Sequence, residues 1–204
     1  MSGTTSAAQS KDQVHQPLPG FPHFAPKAKA LIYLHMNGGP SQIDLLDYKP
    51  TLNEFFDKDL PESVRQGQRI TTMTSGQARL PVAPSMFKFN QHGKSGTWIS
   101  ELLPWTSKVA DDLCVIRSLH AESNNHGPAL FQMNSGFIQA GRPSMGSWVT
   151  YGLGSESENL PAFVVLMDHQ GAPVNGALNW SNGFMPAAFQ GVPFRSSSRC
   201  VGCP

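Results

Sequence analysis

The chain has 204 residues, enough for one ordinary core, with 39% hydrophobic and 14% charged residues and a formal net charge of +1. Without a dense Lys/Arg cluster, nucleic acid and anionic membranes are excluded as expected partners. No apolar run approaches the roughly 20 residues of a membrane-spanning helix, and the start "MSGTTSAAQSKDQVHQPLPG" has neither an apolar signal core nor a twin arginine.

Residues 1–27 are polar, with prolines at Pro17, Pro19, Pro22 and Pro26, and read as a flexible or surface-draped leader. "ALIYLHM", Ala30 to Met36, is a continuous apolar run that predicts a strand covered on both faces. It stops at "NGGPSQ", where glycines let the backbone approach a ligand and Asn37, Ser41 and Asp44 lie close in sequence. The bland alternative is a tight turn with Asp44 capping "LLDY". "TLNEFFDKDL" predicts a short helix, and 61–90 reads mostly as irregular connection.

"HGKSG", His92 to Gly96, has the look of a phosphate loop, but Lys88 stands where that motif needs glycine and no long apolar strand precedes it. In "SGTWISELLPWTSKVADDL", Trp98, Leu102, Trp105 and Val109 have helical spacing, which Pro104 must kink or divide. "LCVIRSL", Leu113 to Leu119, predicts a second buried strand with Cys114 as a buried thiol. Cys200 and Cys203 form a lone C-x-x-C without a second ligand pair, a weak metal or redox signal.

After the polar loop "HAESNNHG", Pro128 suits the first turn of a helix that "ALFQMN" continues. Asn125, His126 and Gly127 therefore sit at a helix start, where free N–H groups and the macrodipole favour a bound phosphate or sulfate. His126 there could ligate a metal, donate a proton or attack an anionic ester. The alternative is that Asn125 or Gly127 caps the helix and His126 is merely solvated. "SMGSWVTYGLG" predicts another helix closed by Gly154, and "AFVVLM", Ala162 to Met167, a third strand. His35 and His169 lie at strand ends, and "NWS" at Asn179 is a formal glycosylation sequon. Strands alternating with helices and opening into polar loops predict an α/β sheet with its site at that edge.

Five blocks in order, "KAKALIYLHMNGGPSQIDLLDYKPTL", "FKFNQHGKSGTWISELLPW", "DDLCVIRSLHAESNNHGPALFQMNSG", "GRPSMGSWVTYGLGSESENLPAFVVL" and "NWSNGFMPAAFQGVPFR", resemble the N-terminal half of a sulfatase-like bacterial family, domain of unknown function 1501. The family is similar to the alkaline phosphatase superfamily of metal-dependent phosphatases and sulfatases. The resemblance implies an α/β fold with an incomplete alkaline-phosphatase-like sheet and flanking helices. It also implies a divalent metal, zinc or calcium, and a small anionic ester as substrate.

In that superfamily the first strand ends in a metal-binding aspartate, and a Ser, Thr or modified Cys nucleophile opens a helix. In this chain Asn37 ends the strand, Asp44 is the nearest carboxylate, and the matching helix start falls at or close to His126. The resemblance thus implies Asn37 and Asp44 at the metal and His126 as nucleophile or ligand, while the helix start places Asn125 and Gly127 at the anion. Superfamily members complete the metal site from their C-terminal half. The expected organisation is a leader over 1–27, the N-terminal part of a sulfatase-like domain over 28–195 and an aberrant tail over 196–204. Two functions follow: a truncated member of a family that hydrolyses phosphate or sulfate esters when complete, or a catalytically silent anion-binding protein. As a half-sheet the fragment is expected to be inactive alone, with uncovered strand edges that aggregate or need a partner. The chain carries no export signal, although the resemblance points to a family commonly exported.

Overall fold

The computed structural model describes residues 15–36, 38–67, 74, 76–167 and 172–194. The expected tail over 196–204 lies outside them, as do residues 1–14 of the expected leader. The architecture is mixed α/β, with short helices and two small two-stranded sheets. It falls into two compact units, one of residues 40–119 and one of 1–39 with 120–204.

The unit of residues 40–119 opens with α1 (Gln42–Leu45), followed by a 3₁₀ turn over Pro50–Phe55 where the sequence predicts a short helix. Next comes α2 (Glu62–Arg65). Then β1 (Phe89–His92) and β2 (Thr97–Ser100) form an antiparallel hairpin, with Phe89 opposite Ser100 and His92 opposite Thr97. The helical spacing through Trp98 misleads here. Thr97, Trp98 and Ile99 are strand-favouring residues, and the glycine-flanked turn Gly93–Gly96 folds them back onto β1. Ile99 is fully buried, while Tyr48 stacks on Phe89 at 4.9 Å and lies 4.5 Å from Trp98. After Pro104 the chain does become helical, as a 3₁₀ stretch over Thr106–Asp112 that breaks at Val109.

The other unit carries α3 (His126–Ser135) and α4 (Met145–Leu153). It also carries β3 (Val164–Leu166), paired in parallel with β4 (Val192–Phe194). Both helices follow their sequence signals. Asn125 caps α3 and Gly136 closes it in the left-handed region, and Gly154 closes α4. The described part of the leader packs here: Leu18 N–H donates to the Gly152 carbonyl at 3.0 Å, and Ser155 N–H donates to His15 O. The core is small, with Leu130, Trp180 and Met185 buried beside polar groups. Ser147 is fully buried and its hydroxyl reaches the carbonyls of Phe189 at 2.8 Å and Ser181 at 3.1 Å.

Of the three predicted strands only the third pairs among the described residues, as β3. Ala30 to Met36 has no ladder partner there, and Ile32 and Leu34 are 82% and 87% exposed. Leu113 to Leu119 is likewise outside any sheet, and Cys114 is exposed where the sequence predicts a buried thiol. An apolar run supplies the faces of a buried strand, but its neighbours must supply the ladder.

Candidate functional site

The site the sequence singles out is the start of α3. Asn125 adopts an extended conformation, and its Oδ1 accepts the Gly127 N–H at 3.1 Å while its carbonyl accepts from Ala129 N–H. Pro128 contributes no N–H. Of the donors at this helix start, the one without an acceptor among the described residues is therefore His126 N–H. Asn125 caps the helix, so the Gly127 amide is already engaged. The His126 imidazole is exposed at this position.

Two further contacts hold the helix start. Glu122 N–H donates to Gln132 Oε1 at 2.8 Å, folding the preceding loop back on α3. Asn175 Nδ2 donates to the Gly127 carbonyl at 2.8 Å. The approach is close: a Cβ on Gly127 would stand 3.2 Å from Asn175 Oδ1. Asn175 itself sits in the left-handed region and precedes the 3₁₀ turn Gly176–Trp180. That turn is locked by Asn179, which donates to the carbonyls of Val174 at 2.7 Å and Gly176 at 3.0 Å and accepts from Asn134 at 3.3 Å. Asn134 is buried in the last turn of α3, so the amide ladder ties the C-terminal end of that helix to the 3₁₀ turn. The Asn179 sequon is closed by the same bonds, because its amide nitrogen is buried and fully used.

Asn175 was legible only as an Asn-Gly turn signal. What it holds, 48 residues earlier in the chain, was not.

The glycine loop that follows Ala30 to Met36 meets His126. Gly38 has φ +77°, and a Cβ built there would stand 3.8 Å from His126 Cε1 and 3.9 Å from Nδ1. The two loops recognised separately in the sequence thus lie side by side. Asn37, the expected metal ligand in this loop, lies outside the described residues, as does His169. His35 pairs with Tyr33, whose hydroxyl is 3.2 Å from Nδ1, and partial desolvation pulls its imidazole below the ordinary range.

Asp44 belongs to the unit of residues 40–119. It stands in the first turn of α1, and the hydroxyls of Ser85 and then Ser41 hold its carboxyl below the usual range. Among the described residues no three His, Cys, Asp or Glu side chains converge, so these residues do not by themselves provide the donor set of a zinc or calcium ion.

"HGKSG" is the turn between β1 and β2, and it does bind an anionic group. The backbone N–H of Lys94 and then that of Ser95 hold the Asp111 carboxylate below its usual pKa, with a smaller share from the Ser95 hydroxyl; Ser95 N–H donates to Oδ1 at 3.2 Å. The phosphate-like loop is filled by the chain's own carboxylate.

A family model described as a protein of unknown function, DUF1501, matches residues 28–202. No curated protein and no solved structure matches.

Proposed function

The chain belongs to the DUF1501 family of proteins of unknown function, and from that premise we propose that it is a sulfatase-like hydrolase of phosphate or sulfate esters whose reacting group is His126. In this reading residues 28–195 are the N-terminal part of an alkaline-phosphatase-like α/β domain. The observation that carries it is the meeting of the Gly38 loop with the His126 imidazole at an α-helix start. An exposed imidazole beside a backbone without side chains leaves room for a small ester. As nucleophile, a ring nitrogen would attack phosphorus or sulfur, and the ester oxygen would leave with a proton from solvent. Water would then cleave the adduct to free phosphate or sulfate and regenerate the imidazole. Asn175 and Asn125 hold the backbone on which that ring is mounted.

The test is release of nitrophenolate from 4-nitrophenyl phosphate and 4-nitrophenyl sulfate by the full chain, with and without added zinc or calcium. Any turnover is expected to be lost in His126→Ala, with stability changed by less than about 0.5 kcal/mol, as for an exposed side chain. Turnover that survives His126→Ala would sink the assignment of His126. Saturable sulfate binding at the His126 resonances without turnover under any metal would select the alternative, a catalytically silent anion-binding protein. The alternative is motivated by Asn37, a neutral residue where the resembling enzymes carry a charged ligand.

A further inference from the structure

The chemistry of the unit of residues 40–119 is not exhausted by its hairpin. A cleft of about 360 Å³ opens between Asp59, Leu60 and Arg65 on one side and Gln77 to Leu80 on the other. Its walls are braced by backbone bonds: Leu60 N–H donates to Leu80 O at 2.9 Å, Val82 N–H to Lys58 O at 2.9 Å, and Asp59 bridges Pro81 in antiparallel fashion. The volume falls within the ordinary range of small-molecule sites.

Two arginines line the cleft, and they are not equivalent. Arg79 is engaged at all three nitrogens: Nε donates to Asp59 Oδ1 at 2.9 Å, Nη1 reaches Asp57 Oδ1 at 3.4 Å, and Nη2 donates to the Asp57 carbonyl at 2.7 Å. Both nearby carboxylates are thereby spent on Arg79. Arg65, the last residue of α2, forms no ion pair among the described residues, and its Nε is buried without a hydrogen-bond partner. A guanidinium N–H shielded from water and lacking an acceptor is costly to leave so. With no carboxylate among the described residues paired to it, the guanidinium lining the cleft is matched by a ligand that brings an acceptor and a negative charge.

We propose that this cleft is a binding site for a small organic oxyanion, a carboxylate or a phosphate or sulfate monoester, gripped by the Arg65 guanidinium. The guanidinium fork presents parallel N–H donors whose spacing suits two oxygens of such a group. The Gln77 amide adds a neutral donor, while Leu60, Ala78 and Leu80 give the ligand's body an apolar wall. The site is independent of His126.

The experiment is a titration of the ¹⁵N-labelled full chain, following the Arg65 Nε–H signal, with benzoate, phenyl phosphate and the uncharged control benzamide. A saturable shift of that signal by benzoate or phenyl phosphate, and none by benzamide, is expected. The tighter of the two anions identifies the head group. Arg65→Gln should weaken the same titration, read at the Leu80 amide, by about tenfold or more, the loss of a charge-assisted hydrogen bond. Arg65→Lys, which keeps charge but loses the fork, should fall between. An Arg65 signal unmoved by both anions, an equal response to benzamide, or unchanged affinity in Arg65→Gln would each overturn the proposal. Should Arg65→Gln fail to fold, the wild-type Arg65 signal decides alone.

Discussion

Two glycine-bearing loops offer backbone N–H groups to an anion, and the chain treats them in opposite ways. At Gly93–Gly96 the amides of Lys94 and Ser95 are closed by a carboxylate, Asp111, from 16 residues further along. At the start of α3 the closing group is Asn125, one residue before the helix, and it consumes the Gly127 amide but leaves the His126 imidazole uncovered. A loop motif thus sets where an anion could sit. Which residue arrives from elsewhere decides whether one is needed.

The largest test of this contrast removes the amide ladder behind His126. Asn179→Ala deletes the donor to Val174 O and Gly176 O and the acceptor of Asn134, leaving buried groups unpaired. At about 1 kcal/mol or more for each orphaned group, the expected loss is on the order of 3 kcal/mol. Urea unfolding followed by Trp180, which sits in the same turn, should show it. A loss below about 1 kcal/mol would mean that water replaces the ladder.

On the other side of the comparison, Gly93→Ala attacks the closed loop. Gly93 has φ +68°, and a Cβ would fall 2.3 Å from Asp111 Oδ1. The left-handed backbone alone costs an L-residue about 1–2 kcal/mol, and the carboxylate must also withdraw from the Lys94 and Ser95 amides. Faster hydrogen exchange at those two amides, with α3 unaffected, is the expected result. Asn175→Ala comes next, at about 1 kcal/mol, because it strands one half-buried carbonyl, that of Gly127. It is expected to move the His126 ring resonances far more than it lowers stability. An unmoved His126 spectrum would show that Asn175 does not position this helix start.

How much of this could be read in advance follows from where the information lies. The helices α3 and α4 were legible because caps and closing glycines are local: Asn125, Gly136 and Gly154 act within a turn of the elements they end. Membership of the family was legible in the order of its blocks. The strand assignments of Ala30 to Met36 and Leu113 to Leu119 were not met among the described residues, since pairing depends on segments that the run itself cannot specify. Trp98 failed for a related reason. Its helical spacing to Leu102 was real, but the turn at Gly93–Gly96 and pairing with Phe89–His92 decided the outcome. At the site, His126 and the Gly38 loop were named from sequence, whereas Asn175 and Asn179 depend on contacts 48 and 45 residues away and the unpaired Arg65 on an acceptor that is missing.

The smallest expected effect is the most discriminating, because it reads the closed loop without mutating it. Asp111 has a folded pKa held below that of an ordinary aspartate, so its contribution to stability is present above the ordinary value and is lost as pH falls through the lower folded pKa. Protection of the Lys94 and Ser95 amides should therefore persist at pH 5 and disappear only under more acidic conditions than those in which an ordinary aspartate protonates. Asp111→Asn should abolish that acid step while leaving the hairpin register intact. Asp44 provides the internal control, since its depressed carboxyl leans first on Ser85 and then on Ser41. Ser85→Ala should raise the Asp44 titration and leave that of Asp111 where it was. If both carboxyls moved together, the depression would come from the field of the whole unit, and the loop at Gly93–Gly96 would lose its claim to be an anion cradle that the chain has filled itself.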